Sequence, residues 1–295
     1  MNNGVPLFVS VIVPVFNDQA GIDRCVDALT KQSYPLDRYE IIVVDNNSEP
    51  PIHIQSDVIS RIQLATCSTV GSYAARNVGI DKSHGEVLAF TDADCVPEPD
   101  WIKEGVAALL AGGSECLVGG AVLFHAPESR RATELYQYVS GFPQRANVTE
   151  RGFAATANLF GHRKHFDRVG LFNTELLSGG DLDWCLRAAQ HGIKAAFCEA
   201  AIVVTSPRAD LFSAIRQARR VAGGRVLLGR STHTAVPADR IKPHRKPGSA
   251  IGWILKQREL SLLSRLRVLF VASLIKLAHM VEVLRLRLGG KPERR

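Results

Sequence analysis

Apolar and polar positions divide the chain into short buried strands and amphipathic helices in alternation. Phe8 to Phe16 (FVSVIVPVF) is a β-branched apolar run of strand length, and Glu40 to Val44 (EIIVV) is a second, ending at Asp45. Runs this continuously apolar suit strands buried on both faces of a sheet. Between them, Ala20 to Gln32 carries Ile22, Cys25, Val26 and Leu29 at helical spacing. The alternation continues with a short strand at Arg61 to Ala65, a helix at Ser72 to Ser83 and a strand at Glu86 to Thr91, ending at Asp92. A helix at Pro99 to Leu110 and an apolar strand at Cys116 to Phe124 follow. This order predicts an α/β fold with a mostly parallel central sheet flanked by helices.

From Glu128 to Arg163 no single period holds, because Gly, Pro and aromatic residues are mixed with polar ones. Asp181 to His191 predicts an amphipathic helix with Leu182, Cys185, Leu186 and Ala189 on its apolar face. Lys194 to Val204 supplies one or two short strands, and Leu211 to Leu228 a basic helix carrying Arg216, Arg219, Arg220 and Arg225. The expected organisation is an α/β domain over residues 1–230 and a basic linker over 231–249. A long amphipathic helical extension, 250–295, completes it.

Charge sharpens that division. The net charge is +7, yet Ile241 to Arg295 holds 13 Lys and Arg against 3 Asp and Glu, while the preceding 240 residues hold 23 against 26. A basic extension on a slightly acidic body favours an anionic surface as the extension's partner. Between Trp253 and Leu288 the longest uncharged run, Val268 to Ile275, is eight residues, far short of the about 20 that a spanning helix needs. Two readings of it remain: a helix lying in a membrane interface, or one packed on its own domain or a second subunit. The six cysteines form no C-x-x-C pair and sit at no zinc spacing with His, so they are expected as reduced core residues. Met1 to Phe8 has no basic segment followed by an apolar run, so no secretory signal is expected and a cytoplasmic setting follows.

Candidate chemistry collects at the carboxyl ends of the predicted strands, where open α/β sheets bind ligands. The first strand ends in Pro14-Val15-Phe16-Asn17, the second in Asp45-Asn46-Asn47-Ser48 and the fourth in Thr91-Asp92-Ala93-Asp94. Each Asp alone is readily a turn or cap residue. Three carboxylates delivered by neighbouring strands point to a site. Asp92 and Asp94, one residue apart, suit Mg²⁺ or Mn²⁺, which accept few protein carboxylates when substrate phosphates complete the shell.

The series VSVIVPVFND, EIIVVDNNS, ARNVGI, FTDADC and GGDLDWCLRA resembles the family 2 glycosyltransferases of GT-A fold, over roughly Val9 to Arg230. The resemblance implies inverting transfer of a sugar from a nucleotide-diphosphate sugar, a UDP-sugar above all, to a hydroxyl of a glycan or lipid-linked acceptor. It implies that Pro14, Val15, Phe16 and Asn17 line the nucleotide, that Asp45 and Asn47 lie at the base, and that Arg76 and Asn77 lie near the base and ribose. Asp92 and Ala93 then sit by the ribose, Asp94 with Asp92 is the metal side, and Asp181 is the general base, with Asp183 second. Trp184 is either an acceptor-stacking ring or plain core. His162-Arg163-Lys164-His165 is expected as a solvated basic face. Two features depart from the family pattern: Gly180 stands where many relatives have Glu, and Thr205-Ser206-Pro207-Arg208 stands where many have His. Arg208 or His233 is then the available replacement.

Two other classes compete. A sugar-phosphate nucleotidyltransferase needs a Gly-rich basic loop after the first strand, whereas Phe16 to Gly21 has one Gly and no Lys or Arg before Arg24. A non-enzymatic anionic-surface binding protein explains the basic tail but not three carboxylates at strand ends; no nucleic acid partner is expected.

Overall fold

The computed structural model describes residues 5–54, 61–230, 249–257 and 260–290. Contacts divide the chain into two units, one built on the sheet (1–123, 144–175 and 180–205) and one helical (124–143, 176–179 and 206–295). The division differs from the expected boundary at residue 230: the basic helix and a segment following the sixth strand both go with the extension.

Among the described residues the sheet has eight strands: β1 (Val9–Val15), β2 (Tyr39–Asp45), β3 (Ile62–Thr66), β4 (Val87–Thr91), β5 (Cys95–Pro97), β6 (Cys116–Phe124), β7 (Asn158–His162) and β8 (Lys194–Thr205). Their order across the sheet is β3-β2-β1-β4-β7-β6-β8-β5. The expected parallel sheet is one half of it, with β2 and β4 both parallel to β1 and β3 parallel to β2. The other half is antiparallel, through the pairs β4–β7, β6–β7 and β5–β8, so the whole sheet is mixed. Helices α1 (Gln19–Thr30), α2 (Ser72–Lys82), α3 (Trp101–Ala111), α5 (Gln144–Arg151), α6 (Arg163–Val169) and α7 (Gly180–Gln190) belong to this unit, while α4 (Ala132–Ser140) belongs to the other.

β1 is buried along its whole length, as a central strand covered on both faces must be. It pairs with β2 from Val9 through Val15, but its ladder with β4 stops at Ile12 opposite Phe90. Pro14 lies just beyond that point. Proline has no N–H to donate, which suits it to the part of the strand beyond the ladder with β4.

The antiparallel half depends on one side chain. Asn158, fully buried on β7, accepts from Trp101 Nε1 at 2.9 Å and donates to the carbonyls of Ala121 at 2.8 Å and Ala201 at 2.9 Å. It thereby joins α3, β6 and β8 through a single amide. Gly120 fits beside it because any Cβ there would lie 2.3 Å from the Ala201 carbonyl oxygen. Asn158→Ala strands a buried indole N–H and two carbonyls, each costing about 1–3 kcal/mol. The variant is expected to lose about 3 kcal/mol or more, read as a lower urea midpoint at an unchanged slope.

The helical unit contains α4, α8 (Leu211–Arg230), α9 (Ser249–Leu255) and α10 (Leu262–Arg287). The helical extension expected over 250–295 holds two helices among the described residues. Ser261 starts the second, its hydroxyl accepting from Ser264 N–H at 3.2 Å, and the Arg265 guanidinium donates to the carbonyls of Leu255 and Leu260, both at 3.0 Å. Leu135, Ile254 and Val268 form one buried cluster of this unit. Glu282 on α10, 1% exposed, receives Arg219 of α8 at 3.1 Å and Arg285 of its own helix at 2.5 Å. Hydrogen bonds from both guanidiniums hold its carboxyl below the usual range. The linker expected at 231–249 lies, but for Ser249, outside the described residues, as does His233. No described helix is long and apolar enough to cross a membrane.

Candidate active site

The carboxyl ends of β2, β1 and β4 lie side by side, and Val15 is registered opposite Asp45. The loops that leave them are locked to one another. Asn17 and Asn47 both adopt left-handed backbone, at φ 52° and 66°, a region that Asn tolerates better than most residues. The Asn17 N–H donates to Ser48 Oγ at 2.8 Å, and its side-chain oxygen accepts from Glu49 N–H at 2.8 Å. Asp45 is buried, and its two carboxylate oxygens accept from Ser48 N–H at 2.9 Å and Ile52 N–H at 3.2 Å. Its carboxylate thus shapes the loop as well as marking the strand end.

Asn46, which sequence reasoning passed over, is the clamp to the next element. Its side chain donates to the carbonyls of Cys67 at 3.1 Å and Thr69 at 2.7 Å, and accepts from Gly71 N–H at 2.8 Å. Gly71, at φ 122°, starts α2. The signal was present in the sequence: an Asn after a buried strand, at a position where its amide can replace missing backbone partners.

The face of α2 that Tyr73 and Arg76 share links β4 to α7. Arg76 is 3% exposed and pairs with Asp92 at the end of β4. Its guanidinium lies 5.4 Å from the Tyr73 ring centroid, and the Tyr73 hydroxyl donates to Asp181 Oδ1 at 3.3 Å. Asp181 is partly buried in the first turn of α7 and also accepts from Leu182 N–H at 2.9 Å. Burial pushes its pKa up, with nearby Asp92 adding to the rise, against lowering by the Leu182 N–H, Arg76 and the Tyr73 hydroxyl. A carboxylate held closer to neutrality in this way is suited to accept a proton.

Gly180 explains its own departure from the family pattern. A Cβ at that position would lie 2.7–2.9 Å from Tyr73 ring atoms, so the ring fills the space a side chain would need. Tyr73 thereby reaches Asp181. Tyr73→Phe removes a hydrogen bond that favours the charged carboxylate, so the Asp181 pKa rises further. The acid limb of the kcat/KM profile is expected to move to higher pH, with the plateau retained.

Asp94 is exposed beyond Asp92. Its backbone carbonyl accepts from Thr205 Oγ1 at 3.0 Å, which pins this turn to β8. Ala93 between them is buried. Beneath lie Cys25 and Cys95, whose thiols burial pushes up, with both carboxylates adding to the rise. They are inert core residues, and all six cysteines are free thiols. Among the described residues no three His, Cys, Asp or Glu side chains gather as metal ligands. A pair of carboxylates still fits Mg²⁺ or Mn²⁺ whose remaining positions are taken by diphosphate and water. Arg76 Nε, buried with no acceptor in the polypeptide, is a donor that a ligand oxygen or a water can satisfy.

Several expected site residues have other work. Both ends of the Asn77 amide are engaged by the backbone of Phe172, at 2.9 and 3.0 Å, so Asn77 positions the loop after α6 and is not offered to a nucleotide. Trp184 is fully buried, stacked on Phe166 at 4.2 Å with its N–H on the Gly170 carbonyl at 2.7 Å; it has no face for an acceptor. Asp183 is buried and paired at 3.0 Å with Arg187, which also donates to the carbonyls of Val169 and Leu171. It therefore holds α7 to the preceding loop. The expected basic face is solvated only in part: Lys164 is exposed, but Arg163 donates to Gly85 O and Ser83 Oγ, and His165 is fully buried on the Ser114 carbonyl. Burial lowers the pKa of His165. Arg208 donates to Gln217 of α8 at 3.0 Å.

The pattern of the family described as Glycosyl transferase family 2 matches residues 10–169, which carry every strand-end loop described above. The chain is 35% identical over 224 residues to the glycosyltransferase AglE of Haloferax volcanii, covering 74% of this chain and 73% of that one. It is 23% identical over 205 residues, 63% of each chain, to a Methanococcus voltae enzyme. That relative is the dolichyl N-acetyl-alpha-D-glucosaminyl phosphate 3-beta-D-2,3-diacetamido-2,3-dideoxy-beta-D-glucuronosyltransferase. Among solved structures, the mannosyltransferase PcManGT from Pyrobaculum calidifontis, in complex with GDP-Man and Mn²⁺, superposes with a TM-score of 0.62 at 19% identity. That match covers 95% of this chain and 88% of the other. These matches set aside the nucleotidyltransferase and the non-enzymatic alternatives: the chain belongs to glycosyl transferase family 2 and is a glycosyltransferase of GT-A fold.

Proposed function

We propose that this protein is an inverting, metal-dependent transferase that moves a sugar from a nucleotide-diphosphate sugar to a hydroxyl of a glycan or lipid-linked acceptor. The observation that carries the reading is the array Asp92–Arg76–Tyr73–Asp181, which holds one carboxylate beside a cation and hydrogen-bonds a second carboxylate whose pKa burial raises. The carboxyl ends of β1 and β2 and the loops that leave them, with Pro14, Val15, Phe16, Asn17, Asp45 and Asn47, bind the nucleotide. Asp94 and Asp92 hold Mn²⁺ or Mg²⁺. When bound, the divalent ion neutralises charge developing on the leaving diphosphate.

The acceptor hydroxyl attacks the anomeric carbon opposite the diphosphate. Asp181 accepts the hydroxyl proton as the new bond forms, a contribution typically worth about 10²–10⁴-fold. Tyr73 donates a hydrogen bond that lowers the pKa of the base, and Arg76 pairs with Asp92. A UDP-sugar is the donor the family resemblance implies, and GDP-mannose enters the test because PcManGT carries GDP-Man. The basic extension docks on an anionic lipid surface, which brings the enzyme to a lipid-linked acceptor.

The test is a melt with UDP- and GDP-sugars, with and without Mn²⁺. A donor present at a hundred times its Kd stabilises by about 2.7 kcal/mol. Stabilisation by one nucleotide class, dependent on metal, followed by a product of opposite anomeric configuration, supports the reading. A melt unmoved by every nucleotide sugar in the presence of metal, or a product of retained configuration, overturns it.

A further inference from the structure

Charge and apolar surface are both concentrated on the helical unit. It holds 22 Lys and Arg against 7 Asp and Glu, while the sheet unit holds 14 against 22. Within the unit α10 is two-faced. Val268, Val271, Glu282 and Leu286 are buried, and α10 packs on α8 and α4. On the opposite side Leu263, Leu266, Phe270, Leu277, Met280, Val281, Leu284 and Leu288 are each more than half exposed. Most of these positions are three, four or seven residues apart, and at about 100° per residue all of them fall in one arc roughly 100° wide and about 32 Å or more long. A soluble surface rarely leaves an apolar strip of that extent uncovered.

The charges beside the strip say what covers it. Arg267 is exposed along one edge, and Lys276 and Arg287 along the other. Glu282, the sole acidic residue of α10, is turned into the unit and neutralised by Arg219 and Arg285. The outer face is therefore apolar in the middle and cationic at both margins, with no exposed carboxylate. A second copy of the chain would bring like charges to those margins. A bilayer interface meets both features: acyl chains for the strip and lipid phosphates for the flanking cations.

We propose that this face of α10 is the membrane-docking element, lying flat in the interface of an anionic bilayer. Leu266, Phe270, Leu277 and Leu284 are immersed, and Arg267, Lys276 and Arg287 sit at phosphate level. The proposal rests on the lipid-surface reading above and names the surface that performs it. It makes transfer an interfacial reaction, in which the acceptor is met on the membrane surface.

The test is flotation of the full-length protein with vesicles of phosphatidylcholine alone, or of equal parts phosphatidylcholine and phosphatidylglycerol. Wild type is expected to float with the anionic vesicles and to do so less as salt is raised. F270E/L277E is expected to lose at least tenfold in partitioning at any salt. R267E/K276E/R287E is expected to lose its preference for anionic lipid. All these positions are exposed, so both variants should keep the wild-type melt and the wild-type donor-induced shift. The proposal is overturned if wild type stays unbound to anionic vesicles, or if F270E/L277E floats as wild type does. A wild-type dimer that F270E/L277E turns into monomers overturns it as well, by giving the strip to a second copy. Vesicle binding without any donor-induced shift would leave this inference standing and defeat the donor reading instead.

Discussion

Asp181→Asn is expected to reduce transfer by about 10²–10⁴-fold while leaving donor-induced stabilisation intact and the melting temperature equal to or above wild type. Asn matches Asp in shape, and its amide oxygen still accepts from Leu182 N–H and the Tyr73 hydroxyl, so the local structure keeps its partners. It cannot take the acceptor's proton. The stability side follows from the raised pKa. A carboxyl whose folded pKa lies above its unfolded value adds stability below the unfolded value, and that contribution is lost as pH rises through the folded pKa. Above its raised pKa the wild type carries an ionised group that burial disfavours, and the Asn variant does not. Across the window between the ordinary Asp range and the raised value, acidification protonates the base. Activity of the wild type should fall there while this site's contribution to stability grows. The kcat/KM profile and the melting temperature, measured against pH on both proteins, check this. A D181N enzyme within tenfold of wild type, or one that melts several degrees lower, would remove Asp181 from the role.

The separation between what the sequence disclosed and what it concealed follows sequence distance. β1, β2, β4 and α1 were readable because their apolar runs and helical spacing are local, and local patterns survive any tertiary arrangement. The strand-end carboxylates were readable for the same reason, since a polar cluster after a buried strand has one place to be. Pairing between distant residues was not. Arg76 and Asp92 are 16 residues apart and Tyr73 and Asp181 are 108 apart, and nothing near either partner announces the other. Trp184 beside Asp181 invited an acceptor role, yet the ring on the next turn faces α6 and the core. Asn77 invited a nucleotide role, and its amide serves the Phe172 backbone instead. Polar residues near a site are as often its scaffold as its contacts, and only the partner of each hydrogen bond decides. The break before Ser261 was missed because the apolar spacing on both sides of it has the same helical period. Among the described residues, the second helix is opened by the Ser261 hydroxyl, and the Arg265 guanidinium binds the carbonyls of Leu255 and Leu260.

Asp94→Asn is expected to remove the metal-dependent part of donor binding without altering the fold. The sheet unit carries a net negative charge, and Asp92 and Asp94 stand one residue apart at its strand edge. A diphosphate brought to such a pair is repelled: two like charges at about 4 Å cost about 4 kcal/mol at an effective dielectric of 20. A divalent cation reverses that sign, and its affinity depends on both carboxylates being charged. Neutralising Asp94 should therefore raise the donor Kd by about 100-fold, which corresponds to about 2.7 kcal/mol. Added Mn²⁺ should restore little of it. Because Asp94 is exposed, its own loss should alter stability by no more than about 0.5 kcal/mol. Asp92→Asn separates the two roles of the pair. It also leaves Arg76, buried and charged, without its partner, so the melting temperature should drop even in the absence of donor. Calorimetric titration of donor with and without Mn²⁺, beside melts of both variants, measures this difference. Wild-type affinity and metal dependence in the Asp94 variant would place the cation elsewhere. A folded-state loss equal in the two variants would mean that Asp94, like Asp92, is held by the protein and not by the ligand.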